Sequence, residues 1–331
     1  MNKLKYIKPE NYSSSNIKHI KKNIKVVKKR DFIINPTTVG GDAPKDFIQI
    51  YEYGRVKRNN EKKWIKYIAK VGHKWYPNES ITEHLLGCIG KELGLNVANS
   101  KLCIISGQIR FLSEYFLDSE SQELVHGIDI FTGYIHGEDR DFIESIENEN
   151  LSRDLFTFQV SKEAIKNAFP NDFESIIDDF VKLLVFDAIV GNNDRHYYNW
   201  GVVRTIKNNQ KPYFSPIFDT ARGLFWNDSE QKIINLIKNN NQLKNYLEKY
   251  IKNSLPKIGW EGKENLNHIR LISEIRDSNE KYCKIIDEML SENNENKIIV
   301  MISNKFVNLF SAERLKIIIE CLKLRFKLLR K

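Results

Sequence analysis

The chain has 331 residues, 41% of them hydrophobic, with a net charge of +9. That length allows about two domains or one two-lobed unit around a substantial core, and no run approaches the roughly 18 to 20 apolar residues of a membrane span or forms a signal-peptide core. Four cysteines, Cys88, Cys103, Cys283 and Cys321, lie far apart without a CxxC pair, which argues for reduced thiols over a disulfide framework or a zinc site.

A soluble cytoplasmic protein is therefore the expectation, although some secretion routes leave no mark in a sequence. The charge is concentrated at the start: residues 1–30 hold ten basic residues against one acid, Glu10, and the remainder is balanced. This stretch, which includes "NIKHIKKNIKVVKKR", reads as a basic arm. It would attract an acidic partner, nucleic acid or an anionic membrane, or serve only as a solvated segment.

Three apolar-rich stretches then read as strands: "KDFIQIYEYG" (45–54), "KWIKYIAKV" (63–71) and "KLCIISGQIRFLSEYFL" (101–117), the last folded into a hairpin at Ser106-Gly107-Gln108. Between the second and third lies "SITEHLLGCIGKELGL". Ser80 is placed to cap a helix, with Glu83 three residues on, apolar Ile81, Leu85, Ile89 and Leu93 at helical spacing, and Gly94 at the end. Residues 31–117 thus read as a small β-rich lobe carrying one helix.

Residues 118–170 show only loops around short helices. In contrast, "DFESIIDDFVKLLVFDAIVG" (172–191) places Phe173, Ile176, Ile177, Phe180, Val181, Leu184 and Ala188 on one stripe, a core helix. It delivers the chain into the polar loop of "VGNNDRHYYNWGVV" (190–203). Beyond it, "WGVVRTI" (200–206) and "YFSPIF" (213–218) are two strands of a hairpin, and from about 228 the apolar spacing is helical to the end. The fold class is α+β: a β-rich amino-terminal lobe and a larger, mainly helical lobe over 118–331.

The chemistry is expected at the two ends of that second hairpin. Asp194 stands five residues before Asn199, and Asp219 follows twenty residues after Asn199, so a hairpin of that length can bring Asn199 and Asp219 onto one ion. Two hard oxygen ligands, completed by phosphate oxygens and water, suit Mg²⁺. Phosphoryl transfer asks for little more: metal against the phosphates, a Lys on a strand, and a carboxylate that takes the proton of the attacking hydroxyl. Protein kinases place the catalytic Asp five residues before the metal-binding Asn and a second metal Asp after a short hairpin.

Upstream, Lys70 ends the strand "KYIAKVG", where its ammonium can reach phosphate. Glu83 lies in the first turn of the next helix, where it can pair with Lys70, and "TTVGGDAPK" (37–45) offers Gly40 and Gly41, whose backbone can approach phosphate closely. Taken singly, each has a plain reading: Glu83 as half of a capping box, Lys70 as a solvated strand end, Gly40-Gly41 as a turn, Asp194 and Asn199 as an Asx-rich loop. Together they stand in the order and at the spacing of a kinase. Tyr197, Tyr198 and Trp200 read as packing aromatics.

In "TVGGDAPK", "YIAKVG", "TEHLLGCIGKELGLNV", "IVGNNDRHYYNWGVVR" and "SPIFDTA", the chain resembles the HipA-like serine/threonine kinases of bacterial toxin–antitoxin modules, and among them the short, stand-alone CtkA-like (cell-translocating kinase) group. The resemblance implies a two-lobed protein-kinase-like fold related to phosphoinositide kinases, with ATP and Mg²⁺ as cofactors. It implies nucleotide contacts from Gly40, Gly41, Asp42, Ala43, Pro44, Lys45 and Lys70, and an adenine-facing hinge at Glu114, Tyr115 and Phe116. The base would be Asp194, with His196, Asn199, Phe218 and Asp219 at the nucleotide and Asn199 and Asp219 on metal. HipA kinases can also phosphorylate themselves just ahead of the glycine loop, where Thr38 stands with Thr37 beside it.

In that family the acceptor is a serine or threonine of a protein, the role is toxin or effector translocated to a host cell, and a small helix-turn-helix antitoxin is a possible partner. Two departures stand out: the basic arm replaces the extra amino-terminal domain of full-length HipA toxins, and residues 118–170 match neither subgroup. Two rivals remain. D-R-H-x-x-N also occurs in lipid kinases of the phosphoinositide 3/4 type, and a non-catalytic nucleic-acid-binding protein could use a kinase scaffold, although base, metal ligands and Lys are all kept.

Overall fold

The computed structural model describes residues 4–14, 16–36, 44–118, 120–135, 152–206 and 210–331. Alternating apolar residues build a six-stranded sheet in the amino-terminal part. Its strands are β1 (Lys25–Val26), β2 (Phe32–Asn35), β3 (Lys45–Ile50), β4 (Ile65–Lys70), β5 (Ser100–Ile105) and β6 (Gln108–Glu114), in the order β1-β5-β6-β4-β3-β2. The β5–β6 hairpin turns on Ser106 and Gly107, both at positive φ (51° and 81°), which matches the right-handed twist of the strands it joins. The β3–β4 register sets Lys45 opposite Lys70 and so brings two ammonium groups to one end of the sheet.

One face of this sheet packs Ile48, Ile50, Tyr67, Ala69, Cys103, Ile105 and Leu112 against Leu4, Val27 and Phe32. The amino-terminal stretch is therefore not an appended arm. Leu4, Ile20, Ile24 and Val27 are buried, helix α1 (Ile17–Lys22) contributes Ile20, and β1 joins the sheet parallel to β5. Isoleucines spaced among the lysines carry this docking, while Lys5, Lys8, Lys18, Lys22, Lys25, Lys28 and Lys29 stay exposed. Gln108 fixes the first residues by exchanging two hydrogen bonds with the Ile7 backbone, at 2.9 and 2.7 Å.

Helix α2 (Asn78–Glu92) crosses the other face and buries Ile81, Leu85, Leu86 and Ile89. It begins two residues before the expected cap. Ser80 accordingly does not cap it: its hydroxyl accepts from the Gly72 N–H at 2.9 Å, and Glu83 is left to pair elsewhere.

The carboxy-terminal part is helical, with α3 (Gly127–Ile135), α4 (Ser152–Leu155), α5 (Phe158–Ala168), α6 (Phe173–Val190), α7 (Glu230–Ile237), α8 (Asn240–Lys252), α9 (His268–Ser278), α10 (Glu280–Met289), α11 (Glu292–Lys305) and α12 (Ala312–Leu329). Its axis is α6, buried without a break from Leu183 to Val190. At about 1.5 to 3 kcal/mol per fully buried large apolar side chain, this helix is a rigid base for the loop that follows.

Gly191 ends α6 in the left-handed region (φ 66°), and a Cβ there would fall on the Arg325 guanidinium brought in by α12. Arg325 donates from Nη1 to the Ala188 carbonyl at 2.9 Å, a cation at the negative end of the helix.

The second hairpin forms as expected, β8 (Gly201–Thr205) with β9 (Tyr213–Phe214). A strand in the stretch expected to hold loops and short helices, β7 (Gln122–His126), makes it a three-stranded sheet. Past β9 the chain runs to Ile217, which bridges Val97 behind α2 through hydrogen bonds of 2.8 and 3.0 Å. That link carries the next residues, Phe218 and Asp219, up to the first sheet. Among the described residues, no helix is long and apolar enough to cross a membrane.

Candidate active site

Three elements converge on Lys70. The strand β4 delivers its ammonium, α2 delivers Glu83 and the segment after β9 delivers Asp219. Lys70 Nζ lies 2.7 Å from Glu83 Oε1 and 2.6 Å from Asp219 Oδ1, and Lys45 Nζ stands 3.8 Å from Asp219 Oδ2. Burial opposes the Lys70 charge, but the two carboxylates outweigh it and its pKa is raised. Burial likewise pushes the Glu83 carboxyl up to about 7 against the pull of Lys70. For Asp219 the balance reverses: Lys70 and Lys45 overcome burial and hold it down at about 2. Its side chain keeps 33% of its surface exposed, which suits an ionised carboxylate facing a ligand.

Across from this cluster, the loop after Gly191 is fastened by Arg195. Its Nε and Nη2 grip Asp187 on α6 at 2.9 and 3.1 Å, and both side chains are buried. Burial pushes the Asp187 carboxyl up while Arg195 pulls it down. The same guanidinium reaches both halves of the candidate metal pair. Nη1 donates to the Asn199 carbonyl at 2.7 Å and to the Phe218 carbonyl at 2.9 Å, and Nη2 to Thr220 Oγ1 at 2.7 Å. One nitrogen atom thus ties the backbone of Asn199 to that of the residue before Asp219. A buried arginine thus holds the two ends of the hairpin to each other through their backbone.

Asn199 Nδ2 donates to the Asp194 carbonyl at 2.8 Å and lies 3.1 Å from His196 Nε2. The amide nitrogen is held by the loop, so Oδ1 is its donor atom for a cation. Asp219 offers a hard oxygen donor next to two ammonium groups suited to phosphate, and Asn199 Oδ1 offers a second at the other end of the hairpin. That set fits Mg²⁺, which takes its other ligands from phosphate and water.

The Asp194 carboxylate is met by Arg222, Nε to Oδ2 at 3.1 Å, and its N–H is fixed by Asn192 Oδ1 at 3.3 Å. Beneath the loop, Asn193 Oδ1 accepts from Ser254 at 2.8 Å and lies 3.2 Å from buried His268, so the turn after α8 and the start of α9 also brace it.

The expected hinge is reached at the end of β6. Phe116 and Phe218 face each other with ring centroids 5.8 Å apart, and Tyr115 packs edge-on against Phe47 at 5.1 Å. The Glu114 N–H is bound by the Asn99 carbonyl at 2.7 Å, the Tyr115 N–H by the Lys66 carbonyl at 2.9 Å, and the Glu114 side chain pairs with Arg55 at 2.8 Å. His196 Nδ1 accepts from the Tyr198 N–H at 3.3 Å, which keeps its ring against the loop. Pro44 accepts from Val71 beside Lys45. Thr37, Thr38, Gly40, Gly41, Asp42 and Ala43 lie outside the described residues. Tyr197 and Trp200 are buried, as expected of packing aromatics, whereas Tyr198 departs from that expectation and lies exposed on the loop.

Sequence reasoning missed Asp187, Arg195 and Arg222. A signal for the first was present, since a carboxylate within the apolar run "LLVFDAIV" demands a buried counter-charge.

A family model described as the HipA-like C-terminal domain matches residues 37–295. Among solved structures, the chain is similar to the Helicobacter pylori proinflammatory kinase CtkA, at 20% identity and TM-score 0.67 over 91% of this chain and 94% of that one. It is more distantly similar to HipA of Shewanella oneidensis MR-1, solved with HipB and its operator DNA (12% identity, TM-score 0.49, 89% of this chain and 65% of that one). A Plasmodium vivax ethanolamine kinase aligns at 12% identity and TM-score 0.25, over 89% and 81% of the two chains. No curated protein sequence matches. The likeness to the first of these structures extends over nearly the whole length of both chains, and the α+β architecture is the two-lobed, kinase-like one.

Proposed function

The chain belongs to the HipA-like C-terminal domain family, and on that premise we propose that it is a protein serine/threonine kinase of HipA/CtkA type, using ATP and Mg²⁺. The observation that carries this reading is the Lys70 ammonium held at 2.7 and 2.6 Å between Glu83 and Asp219. A buried lysine fixed by a helix carboxylate and aimed at a metal-type aspartate is the phosphate-handling half of a kinase.

Roles for the other residues follow from their placement. Lys45 and Lys70 would bind phosphate oxygens, with Gly40, Gly41, Asp42, Ala43 and Pro44 before them. The hinge at Glu114, Tyr115 and Phe116, with Phe218 opposite, would hold the base. Asn199 and Asp219 would hold Mg²⁺, which when bound neutralises charge on the transferring phosphoryl group. Asp194 would accept the proton of the attacking hydroxyl, and His196 would keep Asn199 in place. The family supports a role as growth-arresting toxin or delivered effector, with an antitoxin as partner in the first case and Thr38 or Thr37 as a site of self-modification.

The test sets two acceptors side by side: a bacterial protein extract and phosphatidylinositol vesicles, each with radiolabelled Mg-ATP. Label on protein, resistant to lipid extraction and released as phosphoserine or phosphothreonine, is the expected result. Label confined to lipid would replace this reading with a lipid kinase.

A further inference from the structure

Three stretches meet around Asp194: the loop 191–200, residues 220–227 after Asp219, and the turn 251–259. Asn193 joins them, donating from its N–H to the Arg222 carbonyl at 3.3 Å and accepting from Ser254 at 2.8 Å. Asp194 is the only carboxylate in the three stretches, against Arg195, Arg222, Lys252 and Lys257. Arg195 is buried and taken by Asp187. Arg222 is not buried: it lies 3.1 Å from Asp194, keeps 36% of its side chain exposed, and sits over the Trp226 ring at 5.5 Å. Exposed Lys257 lines, with His196 and Tyr197, a small crevice beside the same loop.

We propose that Arg222, seconded by Lys257, selects acceptors whose serine or threonine hydroxyl is flanked by acidic side chains. This deepens the kinase reading above and rests on it. A hydroxyl that reaches Asp194 must approach the carboxylate that Arg222 already contacts, so the residues beside it come against the guanidinium. An acidic neighbour gives Arg222 a second anion while an Asp194 oxygen turns to the hydroxyl. A basic neighbour would instead face Arg222 and Lys257, and like charges brought together at a contact are strongly disfavoured. The planar fork of Arg222 suits a carboxylate better than a point charge would.

The experiment measures kcat/KM for serine peptides with acidic, neutral and basic flanks, using radiolabelled Mg-ATP, in the wild type and in Arg222→Gln, Arg222→Glu and Lys257→Gln. Ratios between peptides are read within each protein, so a change in basal rate does not enter. The wild type should favour acidic over neutral flanks by about tenfold, the worth of one charge-assisted contact. That ratio should collapse towards one in Arg222→Gln, invert in Arg222→Glu and fall partway in Lys257→Gln, which lies on an exposed turn and reports even where an Arg222 variant does not fold. A wild-type ratio of one or below, or a ratio unchanged in the folded variants, overturns the assignment while measured transfer leaves the kinase reading standing. Absence of transfer to every peptide and protein offered to the wild type overturns both.

Discussion

Asp194→Asn should lower phosphoryl transfer by about 10² to 10⁴-fold, the usual contribution of a positioned general base, while leaving Mg-ATP affinity within a few fold of the wild type. The reason lies in how the loop is held. The Asp194 N–H and carbonyl are fixed by Asn192 and Asn199, and the loop is anchored to α6 through Arg195 and Asp187, so the carboxylate is not what shapes it. Its recorded ion pair is with half-exposed Arg222, an interaction of small structural worth at such a site. Single-turnover transfer to protein alongside calorimetric titration with Mg-ATP reads the two quantities separately. Equal loss of both would make Asp194 a nucleotide ligand, and an unchanged transfer rate would remove it as the base.

A larger structural effect is expected from Arg195→Ala, a destabilisation of about 3 to 5 kcal/mol in denaturant unfolding, because the change strands the Asp187 carboxylate in the core. It also removes the Arg195 donor from the Asn199 and Phe218 carbonyls and from the Thr220 hydroxyl. A double variant, Arg195→Met with Asp187→Leu, separates the two roles. Removing both charges should recover much of the stability but not the tie between Asn199 and the residue before Asp219, so transfer should stay low. Full recovery of transfer in a stable double variant would show that Arg195 only balances a buried charge.

Much of the site was legible because it is local. Asp194, Asn199 and Asp219 are fixed relative to one another by a helix end, a hairpin and their spacing, all of which leave periodic or turn signals. Lys70 and Glu83 are thirteen residues apart on a strand and the helix after it, and they do meet.

The errors came where distant packing overrode a local rule. Ser80 and Glu83 look like a capping box, but α2 starts earlier and Glu83 is drawn to Lys70 instead. The lysine-rich start looks solvated, but its Ile20 and Ile24 enter the main core, and Leu4 and Val27 cover the open face of a sheet whose other strands come later in the chain. Strand β7 has no alternating pattern because all of its residues are half-buried. Arg195 lay in plain view between Asp194 and His196. Nothing in its neighbours reveals that it faces inward, since its partners come from α6 and from the far end of a hairpin.

Asp219, held 2.6 Å from Lys70, would complete a magnesium-dependent phosphoryl-transfer centre together with Asn199. The most direct measurement is the initial rate of label transfer from radiolabelled ATP to protein across a Mg²⁺ titration, for the wild type and Asp219→Asn. In the wild type, transfer should be absent in excess chelator and saturate with Mg²⁺; in the variant it should fall at least a hundredfold, with a higher Mg²⁺ requirement. Transfer that survives chelation, or an Asp219→Asn rate curve that overlays the wild type, would contradict it.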